Sequence, residues 1–331
     1  MKQKVSFVTG TGGQAAYYLI KLLLSKGHRV VGMMRRNANK NVDNIKEFLN
    51  NPDFVLEEGN MQDGASLWNL LSKYHPDEIY NLAAQSHVHT SFSVSEETVD
   101  VVGLGTLRLL NAYREVCPEA RFIQASSSEM FGENTEAPQN ESSKMLPASP
   151  YACAKLFAHN ICRNYRASYG LHISSMIFFN YESEKRGENF VTRKITLAAA
   201  RIKVGLQEEL SLGNLDAKRD WGYAEDYMEA CYLAAQQLSP DDYVISTGET
   251  HTVREFLEET FRLAGLSVEK YVSIDGSLFR PQEVPLLLGN SEKARKTLNW
   301  EPKVKFKELV KRMYDSDWNK ACREINSKNY Q

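Results

Sequence analysis

Residues 5–36, VSFVTGTGGQAAYYLIKLLLSKGHRVVGMMRR, decide the fold. An apolar run over residues 4–9 stops at Gly10, and residues 14–27 then repeat apolar positions every three or four residues up to Gly27. A second apolar run follows at residues 28–36. This is the pattern of strand, glycine turn, helix and strand. The alternation continues with a predicted helix at 42–50, strand at 54–59, helix at 64–74, strand at 78–84 and helix around 101–116. Next come a strand at 120–127, a helix from Pro150 to about Tyr169 and a strand at 172–180. Strands alternating with helices imply right-handed crossovers and a parallel sheet. The fold class expected is α/β, a doubly wound, Rossmann-like parallel sheet with a smaller C-terminal substrate lobe.

After Asn180 the pattern loosens, with helices expected near 193–205, 253–265 and 306–325. We therefore expect a dinucleotide-binding domain over 1–181, with 213–250 returning to it, and a substrate lobe over 182–212 and 251–331. The chain has no Pro/Gly/Ser-rich linker between these halves, so a cleft between closely packed lobes is expected.

Composition narrows the partners. The 331 residues carry 40 Lys and Arg against 42 Asp and Glu, so no excess of cations exists to replace the counterions of a nucleic acid. Five scattered cysteines without a CxxC pair argue against a disulfide framework or structural zinc. No apolar run approaches the roughly 18 residues that cross a bilayer, and the N-terminus lacks the apolar core of a signal peptide. The reading is a cytoplasmic protein that binds neither membrane nor nucleic acid.

Gly10 and Gly13 stand where a missing Cβ lets the backbone turn and approach a pyrophosphate at a helix N-terminus. The turn alone also fits an α/β protein that binds no nucleotide. Arg35 and Arg36 end the second strand, where guanidinium suits the 2′-phosphate of NADP; two solvated cations are the plainer reading. Asn60 and Met61, and Leu82, Ala83, Ala84 and Ser86, leave the sheet at its carboxyl edge, where adenine and ribose lie in this architecture.

Tyr151 and Lys155 are four apart on a helix that Ser149 could cap and Pro150 could start, so they share a face. A nearby ammonium stabilises phenolate, which would lower the tyrosine's pKa and make it a usable acid and base. The spacing alone also fits an amphipathic helix with an exposed lysine. Cys153 is expected to face away from this pair as a packed thiol. His87 and His89, one residue apart on a strand-like loop, do not face alike, and no metal is expected there.

These features resemble the extended short-chain dehydrogenase/reductase family and, within it, the GDP-mannose 4,6-dehydratases. The resemblance rests on NLAAQSHV (81–88), SSSEMFG (126–132), SPYACAK (149–155), FFNYESEKRGENFVTRKI (178–195), LGNLDAKRDWGYAEDY (212–227), STGETHTVREF (246–256) and RPQEVPLLLGNSEKA (280–294). It spans roughly residues 3 to 318.

It implies a catalytic set of Ser127, Glu129, Tyr151 and Lys155. Tyr151 would take the proton of the sugar 4-hydroxyl as hydride leaves carbon 4, Ser127 would hold that oxygen, and Lys155 would hold the phenolate and the nicotinamide ribose. Glu129 would remove the carbon 5 proton and assist loss of water from carbon 6. Hydride return to carbon 6 and reprotonation of carbon 5 then give a 4-dehydro-6-deoxy sugar without net oxidation. Gln14, Tyr181 and Arg186 join the cofactor set by resemblance. Ser86, Asn180, Lys194, Arg219, Arg280 and Glu283 form the implied GDP-sugar set. The family also implies a homo-oligomer.

The chain departs from the family pattern mainly near the dinucleotide. Ala15 and Ala16 replace Asp-Gly, Asn60 replaces an aspartate, Glu97 replaces a tyrosine, and Tyr181 replaces a histidine. The segment RRNANKN (35–41) differs from the usual RRSSS, which helps form the family's tetramer. NADP is the cofactor expected, with NAD as the alternative. A related GDP-sugar such as a GDP-manno-heptose is the alternative substrate, and a nucleotide-sugar sensor the non-enzymatic one.

Overall fold

The computed structural model describes residues 2–36, 42–134 and 136–328. The first part of the chain runs β1 (Val5–Thr9), α1 (Gln14–Ser25), β2 (Arg29–Met34), β3 (Phe54–Glu58), α2 (Gly64–Tyr74) and β4 (Glu78–Asn81). Short helices α3 (Val88–Ser91) and α4 (Ser95–Val99) lead to α5 (Gly105–Val116), β5 (Arg121–Ser127), α6 (Pro150–Tyr169), β6 (Ile173–Phe178) and β7 (Asn180–Glu182). Beyond these lie α7 (Val191–Lys203), β8 (Leu210–Leu212), β9 (Lys218–Arg219), β10 (Trp221–Tyr223), α8 (Ala224–Ala235) and β11 (Asp242–Ile245). The chain continues through β12 (His251–Thr252), α9 (Val253–Ala264), α10 (Val268–Tyr271), β13 (Val272–Ile274), α11 (Glu292–Leu298) and α12 (Phe306–Lys328).

Seven strands form one sheet in the order β11-β6-β5-β4-β1-β2-β3, every pair parallel. The chain builds outward from β1 to β3, then crosses back to β4 and builds the other way. That places a topological switch point between β1 and β4, where ligands enter open α/β sheets. Central strands such as β1 and β6 are buried on both faces, as helices on each side require.

A polar line crosses the sheet near its carboxyl edge. Thr9 donates to Asn81 at 2.8 Å, and Asn81 donates to Gln124 at 2.8 Å. The Thr9 hydroxyl also accepts from the backbone N–H groups of Leu82 and Ala83, both at 3.0 Å. The exit of β4 is thereby fixed to the end of β1. No described helix is long and apolar enough to cross a membrane.

Two predicted helices differ. The one at 42–50 shrinks to a 3-10 turn at Lys46–Phe48. Within this segment the Asn44 side-chain amide donates to the carbonyls of Gly12 (3.0 Å) and Lys185 (3.2 Å), and asparagine is a weak helix former. The helix around 101–116 starts on a π-wound turn at Asp100–Leu104 before α5 begins. Of the segment RRNANKN, residues 37–41 lie outside the described residues.

Candidate active site

Ser127 ends β5 in an extended conformation, and its hydroxyl accepts from the Glu129 N–H at 3.2 Å. The 3-10 turn Ser128–Met130 then holds Glu129, 7% exposed, beside it. Helix α6 begins as the sequence predicts: the Ser149 hydroxyl accepts from the Ala152 N–H at 3.1 Å and Pro150 occupies the first turn.

Tyr151 and Lys155 point into the same buried face. The Lys155 ammonium donates to the Ala125 carbonyl at 2.6 Å and stands 5.8 Å from the Tyr151 ring centroid. One turn further along, His159 Nδ1 meets the Ser126 hydroxyl at 3.0 Å. Helix α6 is thus pinned to the carboxyl end of β5 at two points.

Burial dominates the electrostatics of this pair. It brings Lys155 down to about 8, and it pushes the Tyr151 phenol up, opposed by a hydrogen bond from Ser127. The lowering of the phenol expected from the spacing is therefore not what the polypeptide by itself produces. Removing the phenolate from water costs more than a lysine already engaged by a carbonyl returns.

Arg219, Glu283, Arg280 and Glu129 form a chain of alternating charge. Arg219 Nη2 lies 2.9 Å from Glu283 Oε1, Arg280 Nη1 lies 3.7 Å from the same oxygen, and Arg280 Nη1 lies 3.4 Å from Glu129 Oε1. Arg219 also donates to the Val284 carbonyl at 2.7 Å. Its burial lowers the guanidinium pKa, while Glu129 and Glu283 raise it. Lys194 on α7 donates to the Ser211 carbonyl at 2.7 Å.

At the switch point Gly10 has φ +70°, and a Cβ there would stand 2.9 Å from backbone atoms of Ala83. Only glycine permits both that dihedral and that approach. Gln14 donates to the Tyr181 carbonyl at 2.9 Å and accepts from the Ser183 hydroxyl at 2.7 Å. Burial raises Tyr181 to about 12. Glu182 is raised too, against Arg186 at 3.1 Å and the Thr192 hydroxyl at 2.7 Å. Asn180 Oδ1 is buried with no hydrogen-bond partner among the described residues.

A cavity of about 1030 Å³ joins these features. It is lined by Ser127, Glu129, Tyr151 and Lys155, by Gly10, Gly13, Gln14, Leu82, Ala84, Ser86, Tyr181 and Arg186, and by Asn180, Lys194, Arg219, Arg280 and Glu283. Arg35, Arg36, Asn60, Met61 and Ala83 do not line it. Arg35 is exposed and pairs with Glu97 at 3.3 Å, Asn60 accepts from the Gln62 N–H at 3.1 Å, and Met61 is buried.

The sequence reading missed Arg193, Glu184, Lys320 and Arg323, which also line the cavity. The spacing of Lys320 and Arg323 on one face of α12 is their sole local signal. Two expectations are corrected. Cys153 does face away from Tyr151 and Lys155, but it is exposed rather than packed, because that side of α6 meets solvent. His87 and His89 are not on a strand-like loop: His87 caps α3, accepting from the Thr90 N–H at 3.2 Å.

Comparison with known proteins agrees in extent. The sequence profile of the family described as GDP-mannose 4,6 dehydratase matches residues 7–313. The chain is similar to GDP-mannose 4,6 dehydratase 1 of Arabidopsis thaliana, 48% identical over 97% of this chain and 92% of that protein. It is similar also to the Homo sapiens GDP-mannose 4,6 dehydratase, 43% identical over 95% and 91%. Among solved structures, dTDP-glucose 4,6-dehydratase from Bacillus anthracis in complex with NAD shares the fold at a TM-score of 0.83 and 21% identity, covering 97% of this chain and 98% of that one. RMD from Pseudomonas aeruginosa complexed with NADPH does so at 0.79 and 22%, covering 96% and 100%. With a profile match across most of its length and relatives aligned nearly end to end, the chain belongs to the GDP-mannose 4,6-dehydratase family.

Proposed function

We propose that this enzyme converts GDP-mannose to GDP-4-dehydro-6-deoxymannose by internal hydride transfer. The observation that carries the reading is the meeting, in one cavity, of Ser127, Glu129, Tyr151 and Lys155 with the two guanidinium groups of Arg219 and Arg280. Guanidinium forks suit a diphosphate, and the four other groups suit proton movement at a sugar.

The residues present fit a nicotinamide dinucleotide: at Gly10 the turn forms a cradle that a Cβ would fill, and Gly13 opens the N-terminus of α1. Gly10, Gly13, Gln14, Leu82, Ala83, Ala84, Ser86, Tyr181 and Arg186 would hold it, with Asn60 and Met61 on the adenine side. Arg35 and Arg36 favour NADP over NAD. When bound, the nicotinamide supplies the hydride acceptor and later donor that keep the dehydration redox-neutral.

Tyr151 moves the proton of the sugar 4-hydroxyl, and Ser127 hydrogen-bonds that oxygen. Lys155 holds the phenolate and the nicotinamide ribose, and the Ser127 hydrogen bond opposes the burial that disfavours phenolate. Glu129, two residues beyond Ser127, removes the carbon 5 proton made acidic by the 4-ketone and assists departure of the carbon 6 hydroxyl as water, and carbon 5 is reprotonated once carbon 6 has been reduced. Lys194, Arg219 and Arg280 take the GDP anion, with Ser86, Asn180 and Glu283 on its hydroxyl and amino groups. The same reading takes the enzyme as a cytoplasmic homo-oligomer.

Incubation of the purified protein with GDP-mannose and NADP, followed by mass spectrometry, tests this. A product lighter by one water is expected. A product lighter by two hydrogens would mean a 4-dehydrogenase, and untouched GDP-mannose would overturn the substrate and point to another GDP-sugar.

A further inference from the structure

The turn between β7 and α7, residues 183–187, brings Arg186 to the cavity and is gripped from two sides. Arg193, 7% exposed on α7, grips it from one. Its Nε lies 2.7 and 2.8 Å from the two oxygens of Asp317, and its Nη2 lies 2.6 Å from Asp317 Oδ1. Its Nη1 donates to the Glu184 carbonyl and, at 3.0 Å, to the Arg186 carbonyl. Asp317, fully buried on α12, also accepts from the Thr196 hydroxyl at 2.6 Å.

From the other side Ser183 donates to Gln14 at 2.7 Å, and Gln14 donates to the Tyr181 carbonyl at 2.9 Å. Gln14 is the first residue of α1, immediately after the glycine turn. A line of polar contacts and the turn's own backbone therefore joins α12 to the start of α1. Arg186, within that line, stacks 3.6 Å over the Phe190 ring and approaches Glu182 at 3.1 Å.

A buried ion pair is a poor device for stability alone, since a well-packed apolar pair does as well or better. What an apolar pair lacks is the fork: one planar group that engages a carboxylate along one edge and two carbonyls of a separate turn with its remaining donors. We propose that Arg193 and Asp317 are positioning residues through which α12 holds the 183–187 turn against the start of α1, so that this helix governs how firmly the dinucleotide is retained. This rests on the reading that the dinucleotide sits at the glycine turn beside Arg186.

The test uses the full chain and the variants Asp317→Asn and Arg193→Met/Asp317→Leu. After removal of bound nucleotide, NADP and GDP affinities are measured by calorimetry, with circular dichroism as a check on folding. In the variants NADP affinity should fall roughly tenfold to a hundredfold, and GDP affinity should fall clearly less, because only Lys194 of its contacts adjoins Arg193 while Arg219 and Arg280 lie on other elements. Saturating NADP should restore kcat, so the loss is read in KM for NADP. If Asp317→Asn does not fold, the double variant decides, because it fills the buried space with apolar groups yet lacks the fork. Folded variants that bind NADP as the parent does would overturn the proposal, and so would a parallel fall in NADP and GDP affinity. A parent that binds neither NADP nor NAD would overturn the cofactor reading itself, and this proposal with it.

Discussion

The two walls of the cavity are held by different physics. On the wall made by β5 and α6, covalent geometry and backbone contacts place the groups: a strand end for Ser127, a capped helix for Tyr151, a carbonyl for Lys155. On the facing wall Arg219, Arg280 and Glu283 are held largely by one another's charge. The first wall fixes the direction of its side chains before any ligand arrives, the preorganisation that bond making and breaking require. The second sets a pattern of charge, which suffices to bind an anion.

Tyr151→Phe should separate the walls most sharply. It removes one hydroxyl and leaves the ring, so turnover of GDP-mannose should fall about a thousandfold with GDP affinity unchanged, measured by product formation and by calorimetry. A fall of kcat below about tenfold would move the chemistry off the first wall.

Lys155→Met probes the cost of that wall. The ammonium is brought down from its usual 10.5 to about 8 by burial, a penalty of about 3 kcal/mol. Below pH 8 the lysine is charged in both folded and unfolded chains, so the penalty is full. Between pH 8 and 10.5 the unfolded chain binds more protons, so the parent gains stability as pH rises, and above 10.5 the penalty is gone. Denaturant titrations at pH 7 and pH 10 should therefore show the parent gaining on the inactive Met variant by about 2 to 3 kcal/mol. An equal gap at both pH values would mean that Lys155 is not a buried cation.

Arg280→Ala probes the second wall and should have the smallest effect. KM for GDP-mannose should rise about tenfold to thirtyfold with kcat changed less, since a charge-assisted contact made in both ground and transition states is lost. A larger loss in kcat than in KM would show that Arg280 acts on Glu129, 3.4 Å away, rather than on the diphosphate.

The same contrast governs what could be read from the chain. Elements of the first wall are local: the Ser149 cap, Pro150 at the start of α6, and Tyr151 and Lys155 one turn apart are signals within a few residues. The helix expected at 42–50 gives way to a 3-10 turn in a segment whose Asn44 side chain is tied to Gly12 and Lys185, the latter 141 residues away. The spacing of Tyr151 and Lys155 reports neighbours and not depth, so the burial that raises the phenol's pKa leaves no mark in it. Arg193 gave no signal, since a buried arginine inside an amphipathic helix looks like a solvated one.

The order of the strands β1 to β6, the glycine turn and the shared face of Tyr151 and Lys155 were determined by the sequence alone, because short-range dihedral and burial preferences encode them. The meeting of Arg280 with Glu129 across 151 residues, and of Arg193 with Asp317 across 124, was decided by tertiary structure. Such pairs form where segments distant in the chain pack together, and no residue near either partner in the chain records what that packing will place opposite it.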